Sequence, residues 1–343
     1  MQIRLISDNE NGVYDKVVSH PLQSYDWGEF KKATGQKIER IGIYKDEKLI
    51  NALQVSFHKV PFTGGTVGYI PKGCMPDAGQ FDALKEAAKR NKAIFIKLEP
   101  NVAAAAVNIE NNLQPQRNFL MQNAAVNGKN LFTKFNFHLD LAPSADDLFN
   151  NFKSKTRYNI RLAVKKGVQI IEDTSENGME TYIRLMLETT SRQKFFSHTP
   201  QYYRTMWETI GRKENSMLHI FHAMYNDQAL TSWIIFLFNG ILYYPYGASS
   251  GAFREVMASN LIMWEMIKYG HENKCRCFDL WGSLGPNPDT KDPWYGFHHF
   301  KEGYNPALME NIGTYDLVYN KFLYKSFNAA DKIRWFLLRT FHR

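Results

Sequence analysis

The chain has 343 residues, 44% of them hydrophobic, 14% aromatic and 22% charged. It is too long for one ordinary core and too mixed in composition for a disordered or fibrous protein, so two ordered domains are expected. A net charge of +8 points to an acidic partner (nucleic acid, a phosphorylated substrate or an anionic membrane surface) without choosing among them.

In chain order, the opening "MQIRLISDNENG" shows no apolar leader, and no later run reaches membrane-spanning length. A soluble chain in the cytoplasm, at most peripheral to the inner face of a membrane, is expected. "SYDWGEFKKATG" reads as a helix with aromatic anchors, and "IGIYKDEKLINALQVSF" as a β-hairpin, apolar β-formers flanking a short polar turn. A Gly- and Tyr-containing strand, "GGTVGYIPKG", comes next. "FDALKEAAKRNKAIFIKLEP" then gives an amphipathic helix running into an apolar strand that ends at Glu99. At "LAPSADDLF" a new helix starts, with Ser144 as cap and Asp147 three residues on.

"FKSKTRYNIRLAVKKGVQI" gathers Lys153, Lys155, Arg157, Arg161, Lys165 and Lys166 with Phe152 and Tyr158 interleaved. On a helix Arg157, Arg161 and Lys165 share one face, where their mutual repulsion favours an anionic partner such as phosphate; the alternative is a solvated cationic face. A second series follows: the helix "TPQYYRTMWETIGRK", the hairpin "IFHAMYNDQALTSWIIFLF", the strand "GILYYPYGASS", and the helix and strand of "NLIMWEMIKYGHENKCRCFDLWG". Cys275 and Cys277 alternate along that strand, which suits neither a bridge nor a zinc site, and with Cys74 they indicate a reducing compartment. "DPWYGFHHFKEGYNP" sets Lys301 among rings, as a charge acting in a partly dry cleft requires. A lysine with its stem on aromatics and its ammonium in water is the alternative. The last segment, from "YDLVYNKF" onward, reads as a helix of mixed apolar and basic residues, for which docking on the first domain or a membrane surface are the candidate roles.

The two series match. Tyr44, Asp46 and Leu49 align with Tyr225, Asp227 and Leu230 at one constant offset, and Asn91-Lys92 matches Asn273-Lys274 before each strand. Helix, hairpin, strand, helix, strand, occurring twice, predicts an α+β chain of two tandem N-acetyltransferase-like (GNAT-like) domains, each around a mixed, mostly antiparallel sheet. The Gly-rich turn that would hold an acyl-CoA pyrophosphate is missing, as are a P-loop, a dinucleotide fingerprint, a nucleophile elbow and a metalloprotease motif. Glu99 and Asp279, near sheet termini, are candidate site carboxylates. The adjacent His298 and His299 lack a third ligand, so no metal and no cofactor are expected.

"KTRYNIRLAVKKGV", "YPYGASS" with Arg254 beyond it, "FDLWGS", "DPWYGFHHFKEGYNP" and "QSYDWGEFK" together resemble the Fem aminoacyltransferases, in the same order and over nearly the whole chain. The resemblance is to the compact form, without a coiled-coil arm. It implies two acetyltransferase-like domains facing a cleft. Residues 1–142 with 315–343 would bind the acceptor precursor, and 143–314 would carry the catalytic lysine on the donor side. It also implies transfer of an amino acid from aminoacyl-tRNA to the stem-peptide amine of a peptidoglycan precursor, UDP-MurNAc-pentapeptide or lipid II, with no DNA partner.

Carried over residue by residue, Phe300 and Lys301 form the expected catalytic element. Lys31, four residues past Trp27, is the expected pyrophosphate contact, with Lys32 as its competitor. Tyr69, Tyr246 and Glu99 fall at pocket-lining positions, and Asp279 is added as a substrate-side acid. The family's second phosphate-binding arginine is replaced by Thr199, one turn before Arg204, the proposed substitute; His198 is a weaker candidate. The stripe of Lys155, Arg157, Arg161 and Lys165 is the expected tRNA contact. Lys301 would stabilise the oxyanion or hold the donor's terminal phosphate. Asp279, Glu99, His299 or the substrate's own groups would take the amine proton. An acyl-CoA transferase of the same duplicated fold and a non-catalytic RNA or glycolipid binder remain as alternatives.

Overall fold

The computed structural model describes residues 2–106 and 113–341. The elements begin with strand β1 (Gln2–Leu5), helix α1 (Tyr25–Ala33), the hairpin β2–β3 (Lys37–Lys45 and Lys48–Lys59), β4 (Thr66–Pro71), α2 (Ala78–Arg90) and β5 (Ala93–Glu99). There follow β6 (Ala103–Ala105), α3 (Gln114–Gln122), β7 (Ala125–Asn127), β8 (Phe135–Asp140), α4 (Ala145–Asn151), α5 (Ser154–Lys165) and β9 (Gln169–Glu172). Next are α6 (Glu176–Gln193), α7 (Pro200–Met206), the hairpin β10–β11 (Leu218–Tyr225 and Gln228–Phe238), β12 (Ile241–Ser249), α8 (Ala258–Glu272) and β13 (Cys277–Ser283). The last are α9 (Tyr295–Glu302), β14 (Ala307–Asn311), β15 (Tyr315–Val318) and α10 (Lys321–Phe341).

Side chains cap the helices where the sequence places them. The Ser24, Ser144 and Thr199 hydroxyls accept from the N–H groups of Trp27, Asp147 and Tyr202, satisfying donors that a helix start leaves open.

The expected α+β fold with two mixed sheets is present. One sheet has the order β1-β2-β3-β4-β5-β15-β7, the other β9-β10-β11-β12-β13-β8-β14-β6. Only the central pairs β4–β5 and β12–β13 are parallel among the pairings described. On one face of the first sheet, Leu53, Val55, Phe57, Ile96 and Leu98 bury against Leu84, Ala87 and Ala88 of α2. In the second, Phe221, Trp233, Ile235 and Phe278 bury against Ile160 and Ala163 of α5 and Leu261 and Ile262 of α8.

The chain divides into two compact units, residues 2–103, 113–131 and 312–341 in one, 104–106 and 132–311 in the other. The expected boundary at residue 142 therefore moves, because β8 hydrogen-bonds to β13 and β14 in the second sheet. The first sheet receives its matching strand from β15, which lies between β5 and β7. Residues 315–318, expected to begin the final helix, thus form a strand, and that helix starts at Lys321.

The repeat is real, but its sequence register is off by one. Both hairpins turn on two residues of positive φ, Asp46-Glu47 and Asn226-Asp227, the geometry that matches strand twist. Each then skips one residue of its second strand, Ile50 or Leu230. Asp46 therefore corresponds to Asn226, and Tyr44 to Met224 rather than Tyr225. Because a one-residue slip reverses the face of every side chain, the two tyrosines are not equivalent.

A candidate active site in the second unit

The strands β12 and β13 pair in parallel from Ile241–Cys277 to Tyr243–Asp279 and then separate. Their counterparts β4 and β5 stay paired from Thr66–Ala93 to Pro71–Glu99. Beyond Asp279, β13 carries a bulge with Trp281 at φ 65°, a conformation that costs a bulky residue about 1 kcal/mol or more. The Asp279 carboxylate holds this bulge by accepting the Trp281 N–H at 2.7 Å. One consequence is that the carbonyl of Gly282 is available to a side chain.

Lys301 takes it. Its Nζ donates to Gly282 O at 2.8 Å, and the residue is 0% exposed. The ammonium lies 3.9 Å from the Phe297 ring centroid, one helical turn back on α9, and 5.9 Å from that of Tyr244 on β12. Lys301 thus contacts both strands of the separated pair. Burial strips water from the ammonium and pushes its pKa down to about 7; the nearby negative charge of Asp279 opposes this only in part. A lysine with its head in solvent is not what the chain builds.

Phe300, expected to act beside Lys301, instead packs toward the core with its ring 5.5 Å from that of Tyr304. The ring under the ammonium is Phe297, which the sequence reading did not single out although its spacing of four from Lys301 was visible. A Cβ on Gly303 would come within 2.4 Å of the Thr156 hydroxyl, so this glycine permits close approach to α5, and its φ of −60° requires no special turn. His298 points inward and accepts at Nδ1 from Leu284 N–H, with Ser283 Oγ 3.1 Å away; burial lowers its pKa. His299 points outward toward Glu302.

Asp279 lies mid-strand, at the third position of β13, not at its end. Besides Trp281 it faces His138 Nε2 at 3.4 Å, a partner the sequence reading missed despite the alternation of "FNFHLD". Tyr246, Tyr203, Tyr202 and His198 form an aromatic cluster, His198 stacked on Tyr202 at 3.7 Å and Tyr203 edge-on to Tyr246 at 5.7 Å. Arg204, the proposed phosphate contact, is held in a two-pronged pair with Glu180 at 2.5 and 2.8 Å. Of the basic stripe, Arg157 donates to the carbonyls of Asn150 and Phe152 at the end of α4, and Arg161 lies over the Phe149 ring. Lys155 and Lys165 remain exposed on α5.

In the first unit, Tyr69 donates to Glu99, whose other oxygen accepts from Leu131 N–H at 2.9 Å and Thr314 Oγ1 at 2.6 Å. Lys31 sits 4.8 Å from the Trp27 and 4.9 Å from the Phe30 ring centroid, and burial pushes its pKa down to about 8. Its competitor Lys32 pairs with Glu29 at 2.8 Å. The charge of Lys31 reaches His58, which hydrogen-bonds Ser56, which in turn donates to the Tyr69 carbonyl. These expected residues therefore share one face of the first sheet, opposite the face packed on α2.

Two tandem acyltransferase-like units, one with its central strands parted around a buried lysine, define the protein as a transferase of duplicated fold. The sequence profile of the FemAB family matches residues 10–222 and 212–332. The chain belongs to that family, the aminoacyltransferase class its motifs resembled. It is 26% identical to a Staphylococcus aureus protein named lipid II:glycine glycyltransferase, over 93% of each chain. The solved structure of FemX superposes with a TM-score of 0.82 at 23% identity, covering 95% of this chain and 99% of that one. A tandem GNAT protein of clavulanic acid biosynthesis, 10% identical, superposes with a TM-score of 0.53 over 92% and 98%.

Proposed function

We propose that the protein transfers an amino acid from aminoacyl-tRNA to an amine of a peptidoglycan precursor. The observation that carries this reading is the buried Lys301 ammonium between β12 and β13, in a member of the FemAB family. The amine nitrogen attacks the ester carbonyl, a C–N bond forms, and the C–O bond to the tRNA ribose breaks. The amine proton leaves to a base and the ribose oxygen regains one. The donor ester is already activated, so no covalent enzyme intermediate is needed, and catalysis rests on positioning and on stabilising the oxyanion. A cation in a water-poor site does the second far better than one in solvent.

Lys301 in its protonated form supplies that cation, Phe297 and Tyr244 exclude water around it, and Asp279 maintains the bulge that aims the Gly282 carbonyl. In the first unit, Lys31 on its aromatic bed meets phosphate oxygens of the precursor. Lys155 and Lys165 meet the tRNA backbone. The acyl-CoA alternative is weakened because the Gly-rich turn that would hold its pyrophosphate is missing from the sequence.

The test is incubation with a mixture of charged tRNAs and either UDP-linked or lipid-linked muropeptide, with mass analysis of the product. The expected result is a mass gain of one or more aminoacyl groups, lost in Lys301→Met. Turnover with an acyl-CoA and none with charged tRNA would overturn the reading.

A further inference from the structure

We propose that the first unit docks on an anionic lipid bilayer through the β3–β4 tip and the start of α10. Phe62, at the tip, is 108% exposed and holds φ at 63°. The tip is not loose: Val60 N–H donates to Gly65 O, the Thr63 hydroxyl to Val60 O, and Gly65 N–H to Thr63 Oγ1. A large apolar ring is thus held in water by an ordered turn in a backbone conformation it disfavours, and no packing among the described residues explains it.

Behind the tip lies an open groove of about 720 Å³, with Thr63 and Gly64 on one side and Tyr319 and Leu323 on another. Lys85, Lys89 and Lys92 line it, with Glu86 the one acid among the lining residues. Next to Leu323 on α10, Phe322 is 77% exposed, between exposed Lys321 and, one turn on, Lys325. Among the described residues none of these lysines has an ion-pair partner.

Exposed rings ringed by unpaired lysines fit a bilayer surface, where the rings enter the headgroup region while ammonium groups stay with lipid phosphates. A soluble anion would use the groove and leave both phenylalanines unexplained. No helix among the described residues is long and apolar enough to cross a membrane, so the contact would be interfacial. The groove borders the start of β5, and Glu99 stands at the strand's other end, about 20 Å away. The docking stands apart from the proposed chemistry. Taken with it, docking selects the lipid-linked form of the precursor.

Sedimentation of the full chain with vesicles of phosphatidylcholine, with and without phosphatidylglycerol, tests this. Binding is expected only with phosphatidylglycerol and should weaken as salt rises. Phe62→Ser with Phe322→Ser should reduce partitioning about thirtyfold. Lys85→Glu with Lys89→Glu should reduce it by about fivefold per lysine removed. All four side chains are exposed, so thermal unfolding should be unchanged, which separates lost docking from lost folding. Equal binding to both vesicle types, no binding, or unaltered binding by the phenylalanine variant would overturn the proposal. So would a lipid-independent dimer abolished by the same variant, since a second copy would then be the occupant. Transfer to a soluble precursor, measured on the same variants, should persist, so a failure of docking is distinguishable from a failure of the proposed chemistry.

Discussion

Replacing Lys301 by methionine keeps the stem and removes the ammonium. Unfolded, Lys301 titrates near its ordinary 10.5; folded, burial brings it to about 7. Between those values the unfolded chain binds a proton that the native chain does not, so stability increases as pH rises through this window. With these two values the gain from pH 7 to pH 9 is about 2 kcal/mol, and holding the charge at pH 7 costs on the order of 4 kcal/mol. Lys301→Met should therefore be more stable than the parent at pH 7, with an advantage that shrinks by about 2 kcal/mol at pH 9. Urea unfolding at both pH values measures it, and other titrating groups, Lys31 included, cancel in the difference. The same variant should lose aminoacyl transfer by about a hundredfold or more. A stability difference that stays constant with pH would refute the burial argument, whatever happened to activity.

Glu99→Ala strands the Tyr69 and Thr314 hydroxyls and the Leu131 N–H, and should cost about 3 kcal/mol by urea unfolding. Lys97→Met leaves buried Asp316 without its partner at 2.7 Å and should cost about 3–5 kcal/mol, most of it recovered in the double variant Lys97→Met with Asp316→Leu. Glu47→Gly relieves a positive φ at the first hairpin turn and should stabilise by about 0.5–1 kcal/mol in the same assay. Lys155→Glu with Lys165→Glu should weaken tRNA binding and lower its salt slope by about one per lost phosphate contact, while stability is unchanged. An unaltered slope would remove α5 from the donor site.

What was legible in the sequence is local. Both hairpins announce themselves because Asp and Asn tolerate the positive φ their turns require. The error of one in their register arose because a tyrosine near each turn aligned by identity, while the backbone aligns by turn and bulge. The rings near Lys301 signalled its burial, yet the family resemblance pointed to Phe300, whereas helical geometry presents Phe297. The exchanged strands could not be read at all. "YDLV" has the apolar content of either a strand or a helix start, and its partners, Lys97 and Val126, lie about two hundred residues back in the chain. Nor does sequence reveal that Asp279 fixes a bulge, since that purpose is a hydrogen bond made two residues on.

Aligned by strand register, the two sheets carry corresponding rows: Ser56, Tyr69, Lys97 and Asp316 in one, Phe236, Tyr243, Asp279 and His138 in the other. The tyrosine is retained, and the polar pair beside it is inverted, Lys97 facing Asp316 where Asp279 faces His138. In the first unit that pair is buried across the antiparallel strands β5 and β15, and β4 beside it stays paired with β5 as far as Pro71–Glu99, which leaves no gap for a reacting group. In the second, the acid has turned to the backbone, the bulge it holds ends the pairing, and a lysine from α9 enters the space. The same scaffold with this polar pair inverted thus becomes a closed platform in one half and an opened strand pair in the other. If chemistry occurs between central strands, only the second half can host it. The polar face of the first, with Lys31, Tyr69 and Glu99, is then left to binding.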